Sequence, residues 1–145
     1  MEANLDKRYQ TLLTLWFAMM MNIGILLIIS IFAVPTATDS EATPARLFTI
    51  VIAAAATFMV VISFVVKRKL LERSFDTQDV SLVQKALILA WAMCEVSALL
   101  GLVERFVLRN NDHYVLFAIA IIGTALHFPR RGYLASATYK KLGNQ

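Results

Sequence analysis

The chain has 145 residues, of which 59% are hydrophobic, with a formal net charge of +4 and a mean hydropathy of +0.66. Soluble domains are about 45 to 50% apolar, so this composition excludes an ordinary soluble domain and predicts an integral membrane protein. The single cysteine excludes an intramolecular disulfide and any multi-cysteine metal site. Because the sequence also lacks a phosphate-binding loop, a nucleophile elbow and zinc-ligand spacing, we expect no enzymatic activity, no cofactor and no metal.

Four uncharged or nearly uncharged windows are long enough to supply the roughly 17 to 25 residues that cross a bilayer. The first is longer than the roughly 7 to 15 apolar residues of a signal peptide, so we expect it to remain as an anchor. The sequence therefore predicts an all-α, polytopic membrane protein with one domain over residues 1–145. Its four predicted transmembrane helices cover about residues 10–34, 46–72, 79–108 and 113–129, followed by an interfacial segment over 130–145.

Lysine and arginine residues are divided unequally among the predicted connections. Most of them lie at Lys7 and Arg8, between residues 67 and 85, and between residues 130 and 141, whereas the other two connections hold only Arg46, Arg105 and Arg109. The positive-inside rule then places both termini and the middle loop in the cytoplasm, and we expect a prokaryotic inner membrane. This arrangement accounts for the positive charge without a nucleic-acid partner.

Two local patterns concern the organisation of the helices. Asp76 or Thr77 is expected to cap the N-terminus of the third helix. A constant offset aligns Gln10 with Gln84 and Met19 with Met93, which is typical of a duplicated two-helix hairpin. Matches among apolar residues also arise by chance, so duplication and coincidence both stay open. A true duplication would be a parallel repeat, because each half begins inside.

Glu95 is the most informative residue, since it lies near the middle of the otherwise uncharged run from Ala86 to Val103. An acidic residue at the centre of a transmembrane helix costs roughly 2.5 to 3.5 kcal/mol on insertion scales and usually marks an ion path, a proton relay or a packing contact. Two interpretations are equally weighted: a proton or cation site, and a structural hydrogen bond. The candidate partners of its carboxylate are Asn22, Thr57, Ser63, Ser97 and Thr124.

The third helix also carries small residues on one face, at spacings of three and four. These residues are Ala86, Ala90, Cys94, Ala98 and Gly101, together called the small-residue stripe. In membranes such stripes let helices approach closely, because lipid provides no hydrophobic force between helices. We expect the stripe to pack within the chain; contact between copies in an oligomer is the alternative.

Other polar residues receive simpler interpretations. Glu104, Arg105 and Arg109 are expected to form a solvated rim at the outer end of the third helix. His113 and His127 are separated by roughly 21 Å of helix, so they cannot share a metal or a haem, and we expect both at the membrane interface. Packing alone accounts for Trp16 and Trp91.

The segment that begins at Gln84, QKALILAWAMCEVSALLGLV, resembles the ion-binding helix of the proteolipid (c) subunits of rotary ATPases. The resemblance covers the hairpin of the second and third helices. It rests on a basic residue before the acid and on small and aliphatic residues after it, at Lys85, Glu95, Ala98, Leu99, Gly101, Leu102 and Val103. The resemblance implies that Glu95 binds a proton or a monovalent cation while facing a partner subunit.

The sequence thus predicts a small four-helix membrane protein that forms a homo-oligomer or joins a larger membrane complex, with Glu95 as an intramembrane proton or cation site. The alternative is a non-catalytic accessory, assembly or scaffold subunit in which Glu95 makes a hydrogen bond to another helix. The two hypotheses differ in whether the carboxyl group exchanges protons or ions.

Overall fold

The computed structural model describes residues 2–32, 43–107 and 111–138. Within these ranges the chain is helical and contains no strand. The elements are α1 (Glu2–Phe32), α2 (Thr43–Thr77), α3 (Val80–Val107), a short 3-10 turn (Asn111–His113), α4 (Tyr114–Leu126) and α5 (Arg131–Thr138). Most of the predicted outer loop near residue 40, Arg109 and the last residues of the predicted interfacial segment lie outside the described residues.

Three helices of the described chain are long and apolar enough to cross a membrane. The qualifying stretches are Leu5–Phe32, Leu47–Thr77 and Val80–Val107. The fourth apolar helix, α4, has only 13 residues, which correspond to about 20 Å of helix and fall short of the roughly 20 residues that a perpendicular crossing needs. The structure therefore has three full-length candidate spans and one shorter apolar helix, whereas four full-length spans were predicted.

The helix boundaries also differ from the predicted ones where polar residues continue a helix beyond the apolar stretch. α1 begins at Glu2 instead of near residue 10, and α2 continues through its basic segment to Thr77. The fourth helix ends at Leu126, before the predicted boundary at residue 129. Pro129 accounts for this early end, because proline cannot continue the backbone hydrogen bonds and restricts the residue before it.

Helix α3 is the centre of the bundle. In its most apolar window 44% of the residues are buried, against 11% in the corresponding windows of α1 and α2. α3 contacts α1, α2 and α4, and α4 also contacts α1 and α2, whereas α1 and α2 make no extensive contact with each other. The two hairpins are therefore packed differently. α3 and α4 contact each other directly, whereas α1 and α2 lie on either side of them.

The turn between α2 and α3 is formed by Gln78 and Asp79. Gln78 has a φ of 57°, the left-handed conformation that commonly ends a helix. The Asp79 carboxylate accepts a hydrogen bond from the backbone N–H of Ser81 at 2.8 Å, and the hydroxyl of Ser74 donates to the backbone carbonyl of Asp79 at 2.7 Å. Asp79 is thus the N-cap of α3; the prediction of Asp76 or Thr77 was wrong, because α2 includes both residues.

Helix α5 packs under the bundle at the end where positive charges are concentrated. Leu134 and Ala137 are buried in a cluster with residues of α1, α2 and α3, among them Leu12, Leu71 and Leu87. On its outer side, Arg131 lies 3.5 Å from the carboxylate of Asp6 and 5.0 Å from the ring centroid of Tyr9. The described part of the predicted interfacial segment is therefore joined to the helical core.

Candidate functional site

Glu95 and Asn22 form a polar contact between the two long helices α3 and α1. The side-chain amide of Asn22 donates a hydrogen bond to Oε1 of Glu95. Glu95 is half-buried and Asn22 is exposed at the surface of the bundle. Next to Asn22, Ile23 is fully buried and packs with Ala98 of α3. This contact sets the rotation of α1 about its axis so that Asn22 lies beside Glu95. The pair therefore lies at the edge of the α1–α3 contact, where a bilayer would surround it.

The other four predicted partners of Glu95 make no hydrogen bond to its carboxylate. Thr57 donates to the backbone carbonyl of Ala53 on its own helix, and Ser97 donates across to the carbonyl of Ala56 on α2, at 2.8 and 3.3 Å. Ser63 belongs to a separate cluster with Cys94, described below, and the buried Thr124 hydroxyl has no hydrogen-bond partner among the described residues. Thr57 and Ser63 each bond a carbonyl three or four residues earlier on their own helix, as helical hydroxyl groups commonly do. Of the five predicted partners, only Asn22 bonds to Glu95.

Glu95 has no cationic partner in the part of the chain that the structure describes. There, Arg68 pairs with Glu72 at 2.9 Å and Arg131 pairs with Asp6 at 3.5 Å, and both pairs are exposed. The same residues contain no group of three His, Cys, Asp or Glu side chains that could hold a metal ion. A half-exposed carboxyl group with one amide donor is chemically suited to accept a proton, or to bind a monovalent cation with oxygen ligands from elsewhere.

A second polar cluster, which the sequence did not predict, lies where α4 ends. His127 was expected at the interface but is fully buried. Its Nδ1 lies 2.6 Å from the backbone carbonyl oxygen of Gly123, and its Nε2 lies 3.2 Å from Oγ of Ser63. Because a carbonyl oxygen only accepts, Nδ1 carries a proton. The Phe64 ring covers the imidazole at 4.2 Å between centroids, and Cys94 lies 3.9 Å from Ser63.

Both tryptophans donate hydrogen bonds to backbone carbonyls at the C-terminal end of α4. Trp16 Nε1 donates to the carbonyl of Thr124 at 2.9 Å, and Trp91 Nε1 donates to the carbonyl of His127 at 3.0 Å. A helix end leaves carbonyl groups without partners, and these are costly inside a bilayer. Pro129 could have signalled this end in the sequence, because the carbonyls before it need donors. The indoles are therefore more than packing residues.

A third polar group closes the opposite end of the bundle. Glu104, Arg105 and His113 are buried, although a solvated rim and an interfacial histidine were predicted. Arg105 Nε donates to the backbone carbonyl of Ser30 at 3.3 Å, within the last turn of α1. Cationic side chains are favourable at a helix C-terminus, where unpaired carbonyls carry partial negative charge. The 3-10 turn and α4 cover these residues, which explains why sequence position alone misplaced them.

The small-residue stripe of α3 is buried inside the single chain. Ala86, Ala90, Cys94 and Ala98 are 0% exposed and Gly101 is buried. A Cβ atom at Gly101 would lie 3.0 Å from the ring of Phe117 on α4, and one at Gly123 would lie 2.9 Å from Sγ of Cys94. Gly101 and Cys94 of the stripe thus line the surface on which α4 approaches α3, whereas Ala86 packs in the cluster that contains Leu12, Leu71 and Leu134.

Comparisons with protein-family models, with curated proteins and with solved structures found no match to this chain.

Proposed function

We propose that the protein is a small integral membrane protein in which Glu95 takes up and releases a proton or a monovalent cation within the bilayer. The observation that carries the proposal is the environment of this carboxyl group: it is half-buried, bonded to the neutral amide of Asn22 and unpaired with any lysine or arginine that the structure describes. An ionisable group at this depth that is not neutralised by a cation is typical of proton and ion pathways.

The depth of Glu95 supports this role. It is the only charged residue between Ala86 and Val103 in a helix long enough to cross the membrane. A cation partner would hold the carboxylate permanently ionised, whereas an amide donor can bond to either protonation state. The site can therefore change its protonation without losing its contact to α1.

Four membrane crossings complete the proposed topology. α4 together with the flanking residues 113–129 forms the fourth crossing, with tilt or local thinning of the bilayer compensating for its short length. Both termini then lie on the cytoplasmic side, with the basic residues that surround α5. The likeness of the α2–α3 hairpin to proteolipid subunits agrees with this orientation, because both place the acid on the helix that runs outward.

An oligomer or a larger membrane complex is part of the proposal. Asn22 is exposed and Glu95 only half-buried, and polar groups that face lipid are costly in hydrocarbon. A second copy or a partner helix over the edge of the α1–α3 contact would cover the pair and leave a protected route for the ion.

The test is infrared difference spectroscopy of the full chain in nanodiscs, with Glu95→Gln as the variant and Glu72→Gln as the control. Glu72 is an exposed carboxylate paired with Arg68, so its replacement removes an acid outside the proposed site. We expect a protonated-carboxyl band that changes with pH in the wild type and in Glu72→Gln, and that is missing from Glu95→Gln. A series of sodium and potassium concentrations identifies a cation that competes with the proton.

The second candidate function is that of an accessory or scaffold subunit, and the hydrogen bond from Asn22 to Glu95 itself favours it. Gln at position 95 still offers an oxygen to Asn22, whereas Leu does not. A scaffold role predicts that Glu95→Gln retains stability and assembly, that Glu95→Leu loses them, and that the wild type and Glu95→Gln show the same pH-dependent carboxyl bands. Identical bands in the two proteins would eliminate proton or ion handling by Glu95.

A further inference from the structure

Lys67 differs from the other cations of the basic segment that ends α2. It is only 8% exposed, and its ammonium group lies 5.4 Å from the ring centroid of Tyr133 on α5. The next residue, Arg68, has a side chain that is 82% exposed and pairs with Glu72. The packing of α5 against α2 thus holds one lysine in a fixed position, whereas the neighbouring cations extend into solvent.

The charge of Lys67 is not neutralised within the described ranges of the chain. Arg68 pairs with Glu72 and Arg131 with Asp6, and none of the described carboxylates pairs with Lys67. Arg130 lies one turn before the ring that contacts Lys67, since the backbone N–H of Tyr133 donates to the Arg130 carbonyl at 3.1 Å, and its positive charge acts on Lys67. Two positive charges held near each other without a counter-charge repel, and a partly buried position strengthens that repulsion. An anion between them would remove it.

Both cations lie at the membrane boundary of their segments. Lys67 is the first charged residue after the uncharged stretch from Leu47 to Val66, and Arg130 is the first after the uncharged stretch that includes α4. Tyr133 adds an aromatic ring of the kind enriched at membrane interfaces. The two cations therefore meet at the depth where hydrocarbon gives way to lipid headgroups, and phosphate is the anion present there.

We propose that Lys67 and Arg130 bind the phosphate group of an anionic phospholipid at the junction of α2 with the turn between α4 and α5. Tyr133 positions the Lys67 ammonium, and Arg130, which is exposed, approaches the phosphate from the water side. Basic pockets between transmembrane helices on the cytoplasmic side are suited to such headgroups. This site is independent of Glu95 and of the proposed ion handling.

The test is native mass spectrometry of the full chain in detergent, titrated with phosphatidylglycerol or with phosphatidylcholine. The variants are Lys67→Gln and Arg130→Gln, and the matched control is Lys69→Gln, which removes the same charge from an exposed position on the same helix. Each basic contact contributes about 1 kcal/mol, so each site variant should weaken phosphatidylglycerol binding about fivefold. Lys69→Gln should leave the affinity unchanged, and Lys67→Arg should retain it.

Three outcomes would overturn the proposal. Equal losses in Lys69→Gln and Lys67→Gln would mean that only the overall surface charge attracts the lipid. Equal affinity for phosphatidylcholine would mean that the acyl chains, not the anionic headgroup, determine binding. Displacement of phosphatidylglycerol by excess inorganic phosphate would assign the site to free phosphate. If Lys67→Gln fails to fold, Arg130→Gln decides the question, because Arg130 is exposed and its replacement leaves the core intact.

Discussion

The side-chain amide of Asn22 on α1 donates a hydrogen bond to the carboxylate of Glu95 on α3, across 73 residues of sequence. This bond is the only one that the structure gives to the intramembrane carboxylate among the residues it describes. It connects the chemistry of Glu95 to the packing of α1 on α3. Proton or ion handling and a structural role of Glu95 can therefore be separated only by variants that change one of the two and leave the other intact.

Replacement of Asn22 by Leu should weaken the contact between α1 and α3. Hydrogen bonds between transmembrane helices contribute on average about 0.6 kcal/mol and at most about 1.7 kcal/mol. The free energy of unfolding should therefore decrease by an amount in that range. Denaturation by sodium dodecyl sulfate, followed by circular dichroism, measures it. Thr57→Val is the control, because the Thr57 hydroxyl bonds only within its own helix. Equal stability of Asn22→Leu and wild type would contradict the role of this bond.

Replacement of Trp91 by Phe should destabilise the protein more than replacement of Trp16 by Phe. Among the described residues, the His127 carbonyl has only the Trp91 indole as its donor, whereas the Thr124 carbonyl also accepts from the backbone N–H of His127 at 3.2 Å. A buried acceptor without a donor costs about 1 to 3 kcal/mol, so we expect Trp91→Phe to lose about that much. The same unfolding assay compares both variants, and a larger loss in Trp16→Phe would refute this account.

Replacement of Gly123 by Ala should push α4 away from α3 and α2. The added Cβ would lie 2.9 Å from Sγ of Cys94 and 3.1 Å from Val60, so side chains must shift, at a cost of about 1 to 3 kcal/mol. Gly24→Ala is the matched control, because nothing lies within 4 Å of a Cβ at Gly24. Adding Cys94→Ala to Gly123→Ala should restore part of the lost stability, and a double-mutant cycle in unfolding free energy measures that coupling.

The N-cap of α3 should make stability depend on acid pH. Hydrogen bonds from the hydroxyl and the backbone N–H of Ser81 hold the pKa of Asp79 below its ordinary value of 3.8. The ionised carboxylate therefore stabilises the folded protein fully above pH 3.8, and the stabilisation is lost as the pH falls through the lowered pKa of the folded state.

Two variants at position 79 test this dependence. Asp79→Ala should have a lower melting temperature at neutral pH, since alanine cannot cap a helix. Asp79→Asn keeps a capping oxygen that does not titrate, so its melting temperature should fall less than that of the wild type as the solution is acidified. Parallel melting curves for the wild type and Asp79→Asn across acid pH would show that this carboxylate does not contribute.

The sequence predicted α1, α2 and α3 because the hydropathy and length of an apolar stretch can be read from consecutive residues. The uncharged stretches of these helices are visible without any knowledge of their partners. The extension of α1 to Glu2 and of α2 to Thr77 was missed because polar residues can continue a helix outside the apolar stretch. The end of α4 before Pro129 was misplaced because hydropathy continues past the residue where helical hydrogen bonding stops.

The sequence by itself determined that this chain is helical and apolar enough for a membrane, and that Glu95 is its exceptional residue, because each of these properties depends on residue type and local spacing. Only the tertiary structure decided that Asn22, and not a Ser or Thr hydroxyl, bonds to Glu95. It also decided that Glu104 and His127 are buried. These contacts depend on the rotation and axial position of one helix against another, and both result from the packing of the whole bundle.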